Sequence, residues 1–169
     1  MSFPALARWL PADLPDLNRK IAVRALTDVG VCEVPPGSNR SGVIDAYNAM
    51  VQVPEGSYWC ASAVSAWWRD AGADVPGKLG SASCDVWMEW GKKSGRWSAT
   101  PVIGAAVLYG VPTDASHIGV VVRLDPSLFS VEGNTTLDGY SRNGELVTLK
   151  AVNAKRLLGF IHPTPENPV

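Results

Sequence analysis

The sequence is poor in the residues that mark several large classes of protein. It has three cysteines in 169 residues, with no Cys-x-x-Cys pair and no Cys/His spacing typical of zinc. We therefore expect neither a disulfide framework nor structural zinc. No segment approaches the roughly 18 continuous apolar residues of a membrane-spanning helix. The net charge is −1, without a basic cluster interleaved with aromatics, so nothing electrostatic favours nucleic acid or an anionic membrane as partner.

The first residues of the sequence do not have the pattern expected of a secretory leader. The first apolar run is broken by Pro4, Arg8 and Pro11, and no basic leader precedes a long apolar stretch. We therefore expect synthesis in the cytoplasm, with any extracytoplasmic target reached by release or dedicated export. Residues 1–13 are predicted to be a loosely structured lead-in, followed by one domain over residues 14–169.

What is present first is a series of helical patterns. Apolar spacing predicts helices in four stretches: LPDLNRKIAVRALTDVG, GVIDAYNAM, CASAVSAWWRDAG and SCDVWMEWGKKSG. Each is separated from the next by a loop rich in proline, glycine or serine. We expect the last of these helices to be stopped by Gly91 and Gly95.

After Trp97 the pattern changes to short β-branched runs. PVIGAAVLYG, HIGVVVRL, SLFSVEGN, GELVTLK and RLLGFIHP are separated by turn residues, which is typical of antiparallel strands. Helices followed by strands predict an α+β fold, with N-terminal helices packed on a C-terminal antiparallel sheet.

Cys60 stands at the predicted start of the third helix. Free cysteine is often a small core residue, but the N-terminus of a helix also favours the thiolate and makes the thiol nucleophilic. Cys84 also opens a helix, although the adjacent Asp85 opposes ionisation of its thiol. Cys32 lies in a loop, where we expect a packing residue or a disulfide partner in an oxidising compartment.

The chain has two histidines, and His117 is the better candidate for catalysis. His162 lies near the end of the sequence and is expected at the surface or at a strand end. A turn centred between Asp125 and Pro126 would pair the strand of His117 with the next strand. That register places His117 opposite Asn134, with Glu132 diagonal to it on the same face.

These residue types match nucleophilic catalysis by cysteine. Attack on an amide needs a thiolate, a base within hydrogen-bond reach and a group that orients the base. Cys60, His117 and either Glu132 or Asn134 supply those roles, and the backbone amide of Cys60 would form part of an oxyanion hole. A buried structural cysteine remains the alternative on spacing alone.

Three motifs in this order resemble the CHAP family of cysteine- and histidine-dependent amidohydrolases and peptidases, which cut bacterial peptidoglycan. They are GSYWCASAVSAWW, SHIGVVV and SVEGNT. The resemblance implies a papain-like fold, with Cys60 as nucleophile, His117 as base and Glu132 or Asn134 as its partner. GVCEVPPGSNRSGVIDAYNA looks like the upstream region of that family, which makes Glu33 a candidate lining residue of the cleft.

Further substrate contacts are predicted around the nucleophile. Tyr58 and Trp59 flank Cys60, and Trp87 is placed to rim a groove or to pack beneath it. Some members of the family bind calcium through an acidic loop before the cysteine, but QVPEGSYWC holds the single acid Glu55. Since calcium prefers several oxygen ligands, we expect no metal and no cofactor.

The resemblance implies a monomeric, bacteriolytic peptidoglycan hydrolase, either an amidase or an endopeptidase. A phage endolysin and an exported antimicrobial effector both fit. Two other classes stay open at this point. One is an acyltransferase or transglutaminase-like enzyme that uses the same thioacyl intermediate, and the other is a wall-binding module without catalysis.

Overall fold

The computed structural model describes residues 8–137 and 144–166. Within these ranges the chain forms one α+β domain of four helices followed by six strands. The helices are α1 (Asp16–Thr27), α2 (Gly42–Met50), α3 (Cys60–Asp70) and α4 (Cys84–Lys93). The strands are β1 (Trp97–Ser98), β2 (Ala106–Val111), β3 (Asp114–Arg123), β4 (Phe129–Thr135), β5 (Leu146–Ala151) and β6 (Leu157–Ile161). None of the described helices has the length and apolar character needed to cross a membrane.

The elements agree with the predicted patterns, with three differences. β1 was not predicted, because two residues are too short to show alternation. β3 begins at Asp114 and not at His117, which is its fourth residue. Within the predicted lead-in, residues 1–7 lie outside the described residues.

The third difference concerns Gly91, which does not stop α4. The helix continues to Lys93, and Gly91 lies against β6. A Cβ atom there would be 2.7 Å from Cγ1 of Ile161. The glycine therefore allows close contact between helix and sheet.

All strand pairs are antiparallel, in the spatial order β1-β6-β2-β3-β4-β5. Gly119 of β3 pairs with Glu132 of β4. This is the register predicted from the turn centred between Asp125 and Pro126, and it places Glu132 diagonal to His117. This part of the predicted register is confirmed, whereas the predicted pair of His117 and Asn134 is not among the paired residues.

Helix α3 is the centre of the helical layer. Every residue from Cys60 to Trp68 is buried, and the helix packs against α1, α2, β3 and β4. Alternate residues of the sheet, such as Ile118 and Val120, join this main core, while Tyr109 and Val121 belong to a second cluster. Because side chains alternate along a strand, the second cluster covers the other face of the sheet.

Strand β5 is the last strand of the sheet. The segment that follows α1 pairs with its outer edge through backbone hydrogen bonds. The amide of Gly30 donates to the carbonyl of Val147 (2.9 Å), and the amide of Glu33 donates to the carbonyl of Glu145 (2.8 Å). The pairing satisfies backbone groups of an edge strand. It also fixes the position of Glu33 relative to the sheet.

Candidate active site

Cys60 is the first residue of α3, and its side chain is almost fully buried. In α2 and α4 a serine cap accepts a hydrogen bond from a first-turn amide: Ser41 from Ile44 and Ser83 from Val86. The cap residue of α3, Trp59, makes no such bond. The amides of the first turn, which have no partner within a helix, are therefore available to a negative charge at Cys60.

His117 is held by Glu132. Its Nε2 atom lies 3.0 Å from Oε2 of the carboxylate. The other oxygen, Oε1, accepts hydrogen bonds from the hydroxyls of Tyr109 (2.8 Å) and Ser130 (2.7 Å). The ring of Tyr109 also stacks on the imidazole, with centroids 5.9 Å apart. Both the position and the orientation of the imidazole are thus fixed.

Glu132 is ionised in this setting although it is buried. Burial would raise the pKa of the carboxyl, but the hydrogen bond and the charge of His117 lower it, as do the hydrogen bonds from Ser130 and Tyr109. The net result is a pKa below the ordinary value. The site therefore contains a fixed negative charge next to the imidazole.

Because Nε2 of His117 bonds Glu132, Nδ1 is the ring nitrogen that can exchange a proton with the thiol of Cys60. It is buried and has no hydrogen bond of ordinary geometry with the described residues, yet the thiol and the ring affect each other strongly. Burial would lower the pKa of His117, but the sulfur of Cys60 and the carboxylate of Glu132 raise it to about 10. A loose nucleophile–base contact of this kind is common before substrate binds.

The pKa of the Cys60 thiol is well below its ordinary value of 9.0. Hydrogen bonding with Cys84 is the largest cause, burial opposes it, and the hydrogen bond and charge of His117 lower the pKa further. The amide of Ala61 adds a smaller contribution in the same direction. Together with the raised pKa of His117, this describes a thiolate–imidazolium pair.

Two glycines leave the space that side chains at the site occupy: Gly119 in the motif SHIGVVV and Gly133 in the motif SVEGNT. A Cβ atom at Gly119 would lie 2.7 Å from Cγ of Glu132, so the absent side chain leaves the room that Glu132 occupies. A Cβ atom at Gly133 would lie 2.6 Å from Cζ3 of Trp59. The glycine of the EGN motif thus lets β4 pack against the residue before the nucleophile.

Asn134 has no hydrogen bond with His117 among the described residues, and its auxiliary catalytic role stays a prediction. Its Nδ2 atom donates to Oδ1 of Asn39 at 3.3 Å, and its backbone has a φ of 53°. The left-handed conformation takes the chain out of regular strand geometry just after Glu132. The open choice between Glu132 and Asn134 is therefore decided for Glu132.

Three of the four predicted substrate contacts are buried and need correction. Trp59 and Trp87 have no exposed surface, and Glu33 is 4% exposed. Glu33 accepts a hydrogen bond from Nε1 of Trp59 at 3.0 Å, while Nε1 of Trp87 bonds Oγ of Ser65 at 3.3 Å. The two tryptophans are part of the main core, where large aromatic surfaces are best satisfied. Tyr58 is 55% exposed beside Cys60 and remains available to a ligand.

Cys32 and His162, the remaining candidates, have no hydrogen bond to His117 among the described residues. Cys32 is exposed and pairs through its backbone with Leu146, so it is not the packing residue that the sequence predicts. Nε2 of His162 lies 2.8 Å from the carbonyl of Thr100. In the parts of the chain that the structure describes, no group of three or more His, Cys, Asp or Glu side chains is arranged to hold a metal.

Sequence reasoning missed Tyr109, Ser130 and the role of Cys84 as a neighbour of Cys60. Ser130 had a signal, since Ser130 and Glu132 are polar residues at alternate positions of an apolar strand. No sequence pattern indicated Tyr109 or Cys84, because each contacts the site from a different helix or strand.

Comparison of the chain with protein-family models, with curated proteins and with solved structures gives no match. The resemblance to the CHAP family therefore depends on the three sequence motifs alone.

Proposed function

We propose that the protein is a papain-like cysteine amidohydrolase or peptidase that cleaves an amide bond of bacterial peptidoglycan. The observation that carries the proposal is the chain of contacts from Glu132 to His117 to Cys60. A buried carboxylate bonds Nε2 of the imidazole at 3.0 Å, and the imidazole in turn raises the acidity of the thiol at the start of α3. A nucleophile, a base and an orienting acid in this order form a catalytic triad.

The first half of the reaction is acylation of Cys60. The thiolate attacks the carbonyl carbon of the scissile amide, and a C–S bond forms while the carbonyl oxygen becomes an oxyanion. In this mechanism the amide of Cys60, at the N-terminus of α3 where no side chain caps the helix, stabilises that oxyanion. His117 gives its Nδ1 proton to the leaving nitrogen, the C–N bond breaks, and a thioacyl enzyme and an amine remain.

The second half is hydrolysis. Neutral His117 takes a proton from water, whose oxygen attacks the thioacyl carbon. The C–S bond breaks, so that the products are a carboxylic acid and the regenerated thiolate beside the imidazolium. Glu132 holds Nε2 throughout and stabilises the imidazolium each time it forms.

The choice of peptidoglycan as substrate comes from the resemblance of the three motifs to the CHAP family. In this structure the exposed aromatic beside the nucleophile is Tyr58, and aromatic surfaces are well suited to contact with glycan and peptide chains. Chemistry at the thiol is the same for a sugar–peptide and a peptide–peptide amide.

The test is digestion of purified peptidoglycan by the wild-type protein, by Cys60→Ala and by Cys32→Ala as a matched control. Cys32 is exposed and is not among the groups that shift the pKa of Cys60 or His117, so its variant should match the wild type. We expect Cys60→Ala to release no soluble fragments. Mass analysis of the products separates an amidase, which leaves free lactyl ends on the sugar, from an endopeptidase, which leaves new peptide amines.

Undiminished digestion by Cys60→Ala would refute the mechanism. Turnover only in the presence of an added amine would identify an acyltransferase instead. Binding to the wall without any product from the wild-type protein would identify a binding module.

A further inference from the structure

Cys84 lies directly against the nucleophile. Its Sγ atom is 3.8 Å from Sγ of Cys60, and both side chains are buried. Each cysteine is the first residue of a helix, so the N-termini of α3 and α4 converge at the two sulfurs. The separation is a sulfur hydrogen-bond contact and is well beyond the about 2.05 Å of a disulfide bond.

Two hydrogen bonds, one just before α4 and one in its first turn, hold Cys84 in this place. Before the helix, the hydroxyl of Ser65 in α3 accepts a hydrogen bond from the amide of Ser81 at 3.0 Å. Within its first turn, Oδ1 of Asp85 accepts a hydrogen bond from the amide of Ala115 at 2.7 Å. Ala115 precedes His117 by two residues on β3. The start of α4 is therefore tied both to the nucleophile helix and to the histidine strand.

The direction of the hydrogen bond between the two thiols follows from the charge on Cys60. Once Cys60 has given its proton to His117, its sulfur can only accept hydrogen bonds. Two negative charges 3.8 Å apart in a buried site repel strongly, so the proton of Cys84 stays on Cys84. Cys84 then donates to the Cys60 thiolate.

We propose that Cys84 is a positioning residue that stabilises the thiolate form of Cys60 by donating its S–H hydrogen bond to the nucleophilic sulfur. The inference rests on the proposed function in that it takes Cys60 as the nucleophile. It assigns to Cys84 a purpose beyond packing, and it excludes Cys84 as an alternative nucleophile. The interaction also complements the loose contact between Cys60 and Nδ1 of His117, because it holds the sulfur charged before substrate arrives.

The test compares Cys84→Ser, which keeps a donor, with Cys84→Ala, which removes it. Both variants are made in the Cys32→Ser background, so that the exposed thiol does not react. The pH dependence of Cys60 alkylation by iodoacetamide is measured by peptide mass analysis, and thiolate absorbance is read in parallel as the difference from Cys60→Ala. Thermal unfolding of each variant checks that it is folded.

We expect the acid midpoint of Cys60 ionisation to move up by about one pH unit in Cys84→Ala, equivalent to about tenfold less thiolate on the acid limb. In Cys84→Ser it should stay close to the wild type. The proposal is overturned if Cys84→Ala leaves the midpoint unchanged, or if the serine variant shifts as far as the alanine variant.

These readouts are independent of peptidoglycan digestion. A shifted midpoint in a protein that digests no wall would uphold the role of Cys84 and reject the proposed substrate. An unshifted midpoint in an active hydrolase would uphold the proposed function and reject the role of Cys84.

Discussion

At the scale of single residues, the site depends on how Glu132 uses its two oxygens. Oε2 faces Nε2 of His117, while Oε1 accepts from the hydroxyls of Tyr109 and Ser130. Because the carboxylate has no donor of its own, the imidazole must present N–H at Nε2. The neutral ring therefore keeps Nδ1 as an acceptor for the proton of the thiol or of water.

Replacing the carboxylate by an amide should reverse this arrangement. In Glu132→Gln the amide oxygen can still accept from Tyr109 and Ser130, and its NH₂ group then donates to Nε2 of His117. That fixes the wrong tautomer, with the proton on Nδ1. We expect kcat to fall by about 10⁴-fold with little change in melting temperature, measured by peptidoglycan digestion and calorimetry.

The matched control is Glu89→Gln, because Glu89 is an exposed acid on α4 that pairs with Lys93. It should retain full activity. A Glu132→Gln protein as active as this control would show that Glu132 does not set the tautomer of His117.

Gly119 offers a second test at this scale. A Cβ atom there would meet Cγ of Glu132 at 2.7 Å and the carbonyl oxygen of Val131 at 2.8 Å, and the backbone atom cannot move aside cheaply. Gly119→Ala should displace Glu132 and lower kcat by roughly 10²-fold. Gly42→Ala is the control, since nothing lies within 4 Å of its Cβ position. Equal kcat values for the two variants would show that Glu132 does not need the space left by Gly119.

At the scale of elements, the start of α3 is held by a buried carboxylate from a distant loop. Oε1 of Glu33 accepts from Nε1 of Trp59 (3.0 Å), and Oε2 accepts from the amide of Asn39 (2.9 Å). Asn39 in turn accepts from Asn134 of β4. The loop after α1, the nucleophile helix and the Glu132 strand are thus joined through Glu33.

Removing this carboxylate should destabilise the fold more than it changes the chemistry. In Glu33→Ala the indole N–H of Trp59 loses its acceptor in a buried site, and the amide of Asn39 loses its acceptor in a partly buried one that water can reach. A buried unsatisfied donor costs about 1–3 kcal/mol, so the free energy of unfolding should fall by about 1–3 kcal/mol in urea titration. Glu55→Ala, which removes an exposed acid paired with Arg40, should change it by less than about 1 kcal/mol. A Glu33→Ala protein as stable as Glu55→Ala would show that the loop is held by other contacts.

At the scale of the whole molecule, activity should depend on pH through the ion pair. The competent state has Cys60 deprotonated and His117 protonated. The pKa of Cys60 is lowered, chiefly by Cys84 and also by His117, so the acid limb of kcat/KM should lie well below the titration of a free thiol. The pKa of His117, raised to about 10 by Cys60 and Glu132 against the effect of burial, places the alkaline limb near pH 10.

The assignment of the alkaline limb to His117 can be tested with the Glu132→Gln variant. Without the carboxylate the pKa of His117 loses one of the causes that raise it, so the alkaline limb should move to lower pH. The measurement is kcat/KM against pH for both proteins on soluble wall fragments. An alkaline limb of the wild type near 6.5, the ordinary value for His117, would exclude the ion pair.

The sequence by itself determined the order and kind of the elements, because they follow from local periodicity. Apolar spacing marked the four helices, and alternation with a turn at Asp125 and Pro126 placed Glu132 diagonal to His117. The pairing shifts by one residue between Val121 and Arg123 beside the turn, so the turn alone does not account for the register at Glu132, which the polar and apolar alternation of β4 also favours. Cys60 was likewise marked by its position at the start of a helix.

Only the tertiary structure decided which neighbours complete the site. Cys84 meets Cys60 because α3 and α4 converge, and Glu33 reaches Trp59 because its loop pairs with β5. The same packing buried Trp59 and Trp87, which local sequence placed equally well in a groove or a core. Contacts between distant segments depend on the sum of many packing interactions, and no short pattern in the chain records that sum.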